Sequence, residues 1–271
     1  MVAKKSPPAA GSSGPSVPPA NASAGLSVEQ VMAEAWSAWS DGKIKSADTL
    51  AVKLLKVIPQ HEHAWFLRGL CSARLGKHAQ AIKQWEHVQH SPDLLPPLTQ
   101  SKGVSYLSLG QTDLAVQQFQ QALLYTPDHA QCHYLLGMAT KLQGDLAEAQ
   151  RSLRRAVLLD PQLAHAQFEL GALLLQAGDA QRALNHFKAA SPHLPNAPEL
   201  HNNLGLCYQG LGQTANAVSS YRKAVELQPN YAEAWFNLGM CQGGPDAPEG
   251  QHALAKAFEL NPELKAALNN A

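Results

Sequence analysis

Neither sign of charge is in excess in this chain: 21 Lys and Arg residues balance 21 Asp and Glu, for a formal net charge of zero over 271 residues. That balance argues against a nucleic-acid binder or a protein held on an anionic membrane, both of which carry a basic patch or stripe. Long apolar runs are also missing. The longest, such as residues 172–175, fall far short of the roughly 20 residues a membrane span requires. No apolar stretch follows the basic pair Lys4 and Lys5 as it would in a secretory signal, so a cytoplasmic location is expected. Glycines do not gather into a phosphate-binding loop, no G-x-S-x-G elbow occurs, and no two carboxylates are paired as in an active site. These absences predict a protein without catalysis, cofactor or metal.

What is present is a period. Glycines stand 34 residues apart at Gly69, Gly103, Gly137, Gly171, Gly205 and Gly239, and a second set follows at Gly42, Gly76, Gly110, Gly144, Gly178 and Gly212. Alanine recurs in step at Ala47, Ala81, Ala115, Ala149, Ala183 and Ala217, and proline at Pro59, Pro127, Pro161, Pro195 and Pro229. A fixed repeat of this length indicates stacked supersecondary units, a solenoid. Counted from Val28, units begin at residues 28, 62, 96, 130, 164, 198 and 232. Ahead of them, residues 1–26 are almost wholly Pro, Ala, Ser and Gly, a composition expected to form a disordered tail. A PxxP spacing at Pro15–Pro18 and an Asn21-Ala22-Ser23 sequon fall within it and match readily by chance.

Within a unit, apolar residues recur at three- and four-residue spacing and then meet a glycine, the pattern of a helix and its stop. The fifteenth-place glycines suit the left-handed residue that ends a helix. A second helix follows, for example from Thr214 to Leu227, and Pro229 stops it. The eighth-place glycines lie mid-helix, where Gly is about 1 kcal/mol worse than Ala. We read them, with Ala122, Ala156, Ala190 and Ala224, as places where two helix backbones approach closely, and Trp85, Phe119, Leu153, Phe187 and Tyr221 as filling the space between.

These residues resemble the tetratricopeptide repeat family, whose 34-residue unit carries a W-x2-LG-x2-Y, A, F, A, P pattern. The match is best through Leu204, Gly205, Tyr208, Ala217, Tyr221, Ala224 and Pro229, then Trp235, Leu238 and Gly239. The resemblance extends to bacterial repeat scaffolds and to the repeat regions of O-linked N-acetylglucosamine transferases. It implies an all-α protein: an α-solenoid, a right-handed superhelix of about seven helix-turn-helix repeats over residues 27–271, closed by a capping helix at 263–270. Departures mark particular joints. The first unit has Ala35 for the glycine and Val31 for the aromatic, as an end repeat does. In the unit from 62 the second helix is expected to stop near His90, with a bent joint at Pro92, Pro96 and Pro97; Pro192 shortens another second helix, and the last unit loses one residue in its turn.

Phase also reads the reactive side chains. Cys71, Cys207 and Cys241 share the tenth place, which faces the helix pair, so they and Cys132 are read as buried thiols. The neighbouring histidines, His61 with His63 and His129 with His133, have spacings a metal could use, but no third ligand is evident and packing or surface roles are preferred.

By the resemblance, first helices line the concave groove through their second, fifth, sixth, ninth, twelfth and thirteenth places. The fifth reads Met32, Phe66, Gln100, Tyr134, Phe168, Asn202 and Phe236, and the ninth Trp36, Leu70, Val104, Met138, Ala172, Leu206 and Met240. Packing between helices accounts for the ninth place more readily than partner contact; at the fifth the two are balanced. The candidate groove residues are Phe66, Leu67, Tyr134, Met138, Lys141, Phe168, Asn202, Asn203, Phe236 and Asn237. Sixth-place Asn203 and Asn237 resemble asparagines that hold peptide backbones in the transferase relatives, but only these two units carry them. Lys141 and Arg74 are the only groove cations, too few for the carboxylate clamp of chaperone-binding relatives. The expected function is a non-catalytic scaffold or adaptor for a peptide or protein partner. The alternative is a substrate-recognition arm for a glycosyltransferase or sulfotransferase on another chain. Self-association by end-to-end stacking is a further possibility.

Overall fold

The computed structural model describes residues 27–269. The N-terminal segment 1–26, with its PxxP spacing and sequon, and the last position of the expected capping helix lie outside these residues. Among the described residues there are fifteen α-helices and no strand. Fourteen of them form seven pairs: α1 (Val28–Ser40) with α2 (Ile44–Val57), α3 (Glu62–Arg74) with α4 (His78–Trp85), and α5 (Leu95–Ser108) with α6 (Thr112–Tyr125). There follow α7 (Ala130–Leu142) with α8 (Leu146–Leu159), α9 (Ala164–Gln176) with α10 (Ala180–Ala190), and α11 (Pro198–Gly210) with α12 (Thr214–Leu227). The last pair is α13 (Ala232–Cys241) with α14 (Pro248–Leu260), and α15 (Glu263–Asn269) packs on α14.

The turn inside each of the first six pairs is set by its fifteenth-place glycine, and in the seventh Gly243 and Gly244 take the left-handed conformation instead. At Gly212, φ is +70°, a conformation that costs a Cβ-bearing residue about 1 kcal/mol or more. It lets Gln213 N donate to Tyr208 O at 2.8 Å and Gly212 N to Gln209 O at 3.0 Å, satisfying carbonyls at the end of α11. At the eighth-place glycines the side chains expected to fill the space between the helices are the nearest neighbours. A Cβ on Gly171 would lie 2.9 Å from the Phe187 ring, one on Gly103 2.5 Å from Phe119, and one on Gly137 2.8 Å from Leu153. Facing backbone is also close at Gly137 and Gly239, where the carbonyls of Ala149 and Gly250 lie 3.2 and 2.9 Å away. The missing Cβ therefore makes room for the side chain at the twenty-fourth place, and at Gly137 and Gly239 for the facing backbone as well.

First helices of successive pairs touch, α1 with α3, α3 with α5, α5 with α7, α9 with α11 and α11 with α13, while second helices make no comparable contact. The first helices are thus the crowded inner layer of a curved stack and the second helices its splayed outer layer, an α-solenoid. Its core is a strip between the layers; one stretch runs from Ala149 and Leu153 through Leu170 and Phe187 to Leu200 and Cys207 without a break.

The end and the irregular joints follow from local sequence. In α3, Ala64, Leu67 and Cys71 are buried against Leu54 and its neighbours on α2. The same places in α1 hold Gln30, Ala33 and Ser37, all exposed, so the stack opens on a small and polar face. The second helix of the second pair stops at Trp85, five residues before the expected His90. The reason is Glu62 at the start of α3. Its carboxylate accepts the amides of Gln89 at 3.1 Å, His90 at 2.9 Å and Ser91 at 2.7 Å, drawing the chain out of helix into a loop. A 3-10 turn at Pro92–Leu94 then leads into α5, with Val88 and Leu94 buried beneath it. Similarly, α10 stops at Ala190, ahead of the missing amide of Pro192.

Candidate binding groove

The inner face is a row of first-helix side chains. At the ninth place, Trp36, Leu70, Met138, Ala172 and Leu206 are half-buried, and Val104 and Met240 are exposed at 39% and 37%. No ninth-place residue is fully buried, but Trp36, Leu70, Ala172 and Leu206 pack one side against the core, so the row is shared between helix packing and the open face. A cavity of 270 Å³ opens on it between the first three pairs, lined by Trp39, Leu70, Arg74, Gln100 and Val104 among others. The Arg74 guanidinium lies 5.8 Å from the Trp39 ring centroid, a cation over a π face. Trp39 was missed by the sequence reading. Its signal was an aromatic at the twelfth place, one turn from Leu70 in the next unit's phase.

Further along, Lys141 on α7 pairs with Glu169 on α9 at 2.7 Å, both partly shielded from water. Tyr134 sits beside them, its ring 6.4 Å from that of His165. Burial first, and Glu169 second, push the Tyr134 hydroxyl above its ordinary range, so it remains a neutral donor. This makes a polar cluster across two pairs, with Met138 half-buried on the same helix. Phe168 is half-buried and meets Phe187 edge-on at 5.6 Å, and Phe236 lies 6.4 Å from Phe258. Each presents part of a ring to the surface while the core holds the rest.

Three expected groove residues are not available there. Leu67 is fully buried, packed with Ala64 and Cys71 against α2, because the sixth place of the second pair faces the preceding pair. Phe66 is only 4% exposed, enclosed between Trp36 and Trp85. Asn202 is 5% exposed, and its Oδ1 accepts from Asn237 Nδ2 at 3.0 Å, so this amide pair ties α11 to α13. Asn203 is half-buried, and it is the one sixth-place asparagine that no internal amide pair engages among the described hydrogen bonds.

The histidines are absorbed by a structural device that sequence reasoning did not find. In five of the seven units the fourth place hands a hydrogen bond to the carbonyl of the proline six residues earlier; Val31 and Thr99 stand there in the other two. Trp65 donates to Pro59 O at 2.8 Å, Gln167 to Pro161 O at 2.9 Å and Trp235 to Pro229 O at 2.9 Å. His133 and His201 do the same with Pro127 O at 2.8 Å and Pro195 O at 3.0 Å. His61 and His129 instead cap α3 and α7, accepting the amides of Ala64 and Cys132 on Nδ1 at 3.2 and 3.0 Å. Among the described residues no cluster of three or more His, Cys, Asp or Glu could hold a metal ion. Burial raises the thiols of Cys71 and Cys207 to about 11 and that of Cys132 to about 12, which leaves them protonated and poor nucleophiles. Cys241 corrects the expectation of four buried thiols. It ends the shortened α13 and is half-exposed.

Comparison with known families and structures fits this geometry. Models described as tetratricopeptide repeat match residues 32–88 with 101–140, 141–207, 198–231 and 220–257. No curated protein matches the chain. Among solved structures, MamA 41-end from Desulfovibrio magneticus RS-1 is similar at 22% identity and a TM-score of 0.57, over 62% of this chain and 96% of that one. YrrB, described as a TPR protein with an unusual peptide-binding site, is similar at 19% identity and a TM-score of 0.60, over 71% and 96% of the two chains. A chain of the APC/C hetero-tetramer Cut9-Hcn1 covers 90% of this chain with 47% of its own length, at 17% identity and a TM-score of 0.62. Among the described residues no helix is long and apolar enough to cross a membrane.

Proposed function

This chain belongs to the tetratricopeptide repeat family, and from that premise we propose that it is a non-catalytic scaffold whose inner groove binds an extended peptide or protein segment. One observation carries the reading: the ninth-place row is apolar in all seven pairs and buried in none. The core covers one side of several of these residues and leaves the other open, as a groove that grips apolar anchors needs. The 270 Å³ cavity at Leu70 and Val104 offers an anchor point on that row. Tyr134, Met138, Lys141, Phe168, Asn203 and Phe236 continue it toward the C-terminal pairs. YrrB, with its peptide-binding site, offers a precedent in the same fold. The alternative of a recognition arm for a glycosyltransferase rests on the asparagines, and Asn237 already donates an amide N–H to Asn202 Oδ1.

The test compares proteins captured from native lysate by wild type and by Leu70→Glu/Val104→Glu. A charge in this apolar row is expected to weaken a groove-bound partner by about tenfold or more. Leu124→Ala, on the outer helix α6 and 81% exposed, is expected to keep that partner. An unchanged partner set for the double variant, with helical content intact by circular dichroism, sinks the groove reading.

A further inference from the structure

The outer layer carries a second feature that the groove does not use. Successive second helices are separated by a gap whose floor is the first helix between them. In the sixth pair this gap is filled from within. Tyr208 on α11 packs against the cores on both sides, and Lys188 on α10 holds its ammonium over the ring, 5.6 Å from the centroid. One period on, Gln242 stands in the place of Tyr208 and Arg222 in the place of Lys188. The ring is gone and the cation remains. A cavity of 560 Å³ opens at that point, lined by Val225, Trp235 and Leu238 at its base and by Ala253 of α14 at its side. Arg222, Glu226 and Glu249, all exposed, stand around it.

We propose that this cavity is a docking socket for an aromatic side chain, Tyr or Phe, presented by a protein segment that carries basic residues beside it. The repeat itself shows what fits. The neighbouring pair closes the equivalent gap with a tyrosine ring under a cation, so an incoming ring finds an apolar base and the Arg222 guanidinium as its lid. Charge selects the flanks. Glu226 and Glu249 are at the rim, and the seventh pair with α15 carries Glu233, Asp246, Glu249, Glu259 and Glu263 against Lys256 and Lys265. A segment with Lys or Arg on either side of the ring meets that field favourably, and an acidic one is repelled. The site lies on the outer layer, between α12 and α14, and is separate from the inner groove.

The full chain, labelled with 15N, is titrated with three capped peptides, Lys-Tyr-Lys, Lys-Ala-Lys and Glu-Tyr-Glu. The reporter is the indole N–H of Trp235, assigned by loss of its signal in Trp235→Phe. Lys-Tyr-Lys is expected to shift it saturably, and the other two to bind about tenfold more weakly or worse. Gln242→Tyr restores the ring that the sixth pair has; it is expected to raise the melting temperature and to abolish the peptide-induced shift. Should that variant fail to fold, Arg222→Ala, at an exposed side chain, is expected to weaken Lys-Tyr-Lys by about fivefold. Equal binding of the tyrosine and alanine peptides, undiminished binding to the filled or arginine-free socket, or a Trp235 signal that no peptide moves would each overturn the proposal.

Discussion

The second and sixth pairs build the same internal contact on different outer joints. In both, the side chain at the twenty-fourth place lies on the eighth-place glycine: Trp85 on Gly69, and Tyr221 on Gly205. In the sixth pair, α12 then runs fourteen residues to Leu227 and Pro229 turns the chain. In the second, α4 has eight residues, and a loop pinned by the Glu62 carboxylate replaces the missing helix. The solenoid therefore tolerates a rebuilt joint as long as the ring stays on the glycine. Stability lies in the contact between layers, and the outer turns are adjustable.

The largest effect should come from breaking that shared contact. An added methyl at position 69 or 205 would overlap the Trp85 or Tyr221 ring. Both rings are anchored: Trp85 Nε1 donates to Phe66 O at 3.0 Å, and the Tyr221 hydroxyl donates to Gln209 Oε1 at 2.7 Å. Both rings are completely buried, but Trp85 is bonded to backbone, whereas Tyr221 is held by an exposed glutamine that can move. Gly69→Ala is thus expected to cost about 3 kcal/mol and Gly205→Ala about 2 kcal/mol, net of the helix propensity that alanine gains. Urea denaturation of the two variants measures this. Neutral or stabilising outcomes would mean that the rings can leave the glycines freely.

Helix limits were legible in the sequence because they depend on glycine and proline, whose backbone restrictions act wherever they stand. Thr214 to Leu227 was readable for that reason. How closely backbone or side chain meets the eighth-place glycines was not, since a missing Cβ looks the same whether a ring or a backbone fills the space. The groove was legible in phase but not in depth. Leu67 and Ser101 share the sixth place, yet the first is buried and the second half-buried like Leu135, Glu169, Asn203 and Asn237, because Leu67 alone packs with Ala64 and Cys71 into the core against α2. The proline-carbonyl bonds were hidden for a chemical reason. Trp, His and Gln share no shape or hydropathy, only an N–H at similar reach.

A smaller effect distinguishes the second joint from the sixth through pH. Burial pushes the Glu62 carboxyl up, but hydrogen bonds from the Ser91 side chain and from the amides of Gln89, His90 and Ser91 outweigh it and bring the group down to about 2. A carboxyl depressed on folding stabilises above its unfolded value, near 4.5, and loses that contribution as pH falls toward about 2. Glu62→Gln is expected to cost about 1–2 kcal/mol at neutral pH, allowing for solvent screening, and nothing at pH ~2. Thermal melts of both proteins from pH 7 to 2 should converge over that window. A gap between them that does not change with pH would show that the loop is held by something other than the ionised carboxylate.

The smallest effect concerns the bond that regular and irregular joints share. His133 reaches Pro127 O at 2.8 Å just as Gln167 reaches Pro161 O at 2.9 Å, so the two residue types already serve the same purpose within one molecule. If only the donor matters, His133→Gln should change stability by less than about 0.5 kcal/mol, while His133→Leu, which fills similar space without an N–H, should lose about 1 kcal/mol. The half-buried setting of His133 keeps the carbonyl of Pro127 within reach of water, which limits the loss to that size. Equal losses in both variants would mean that the imidazole ring packs as well as donates. In that case the fourth place would be a site of shape and not of hydrogen bonding, and the interchange of Trp, His and Gln along the solenoid would need each joint to have adapted to its own side chain.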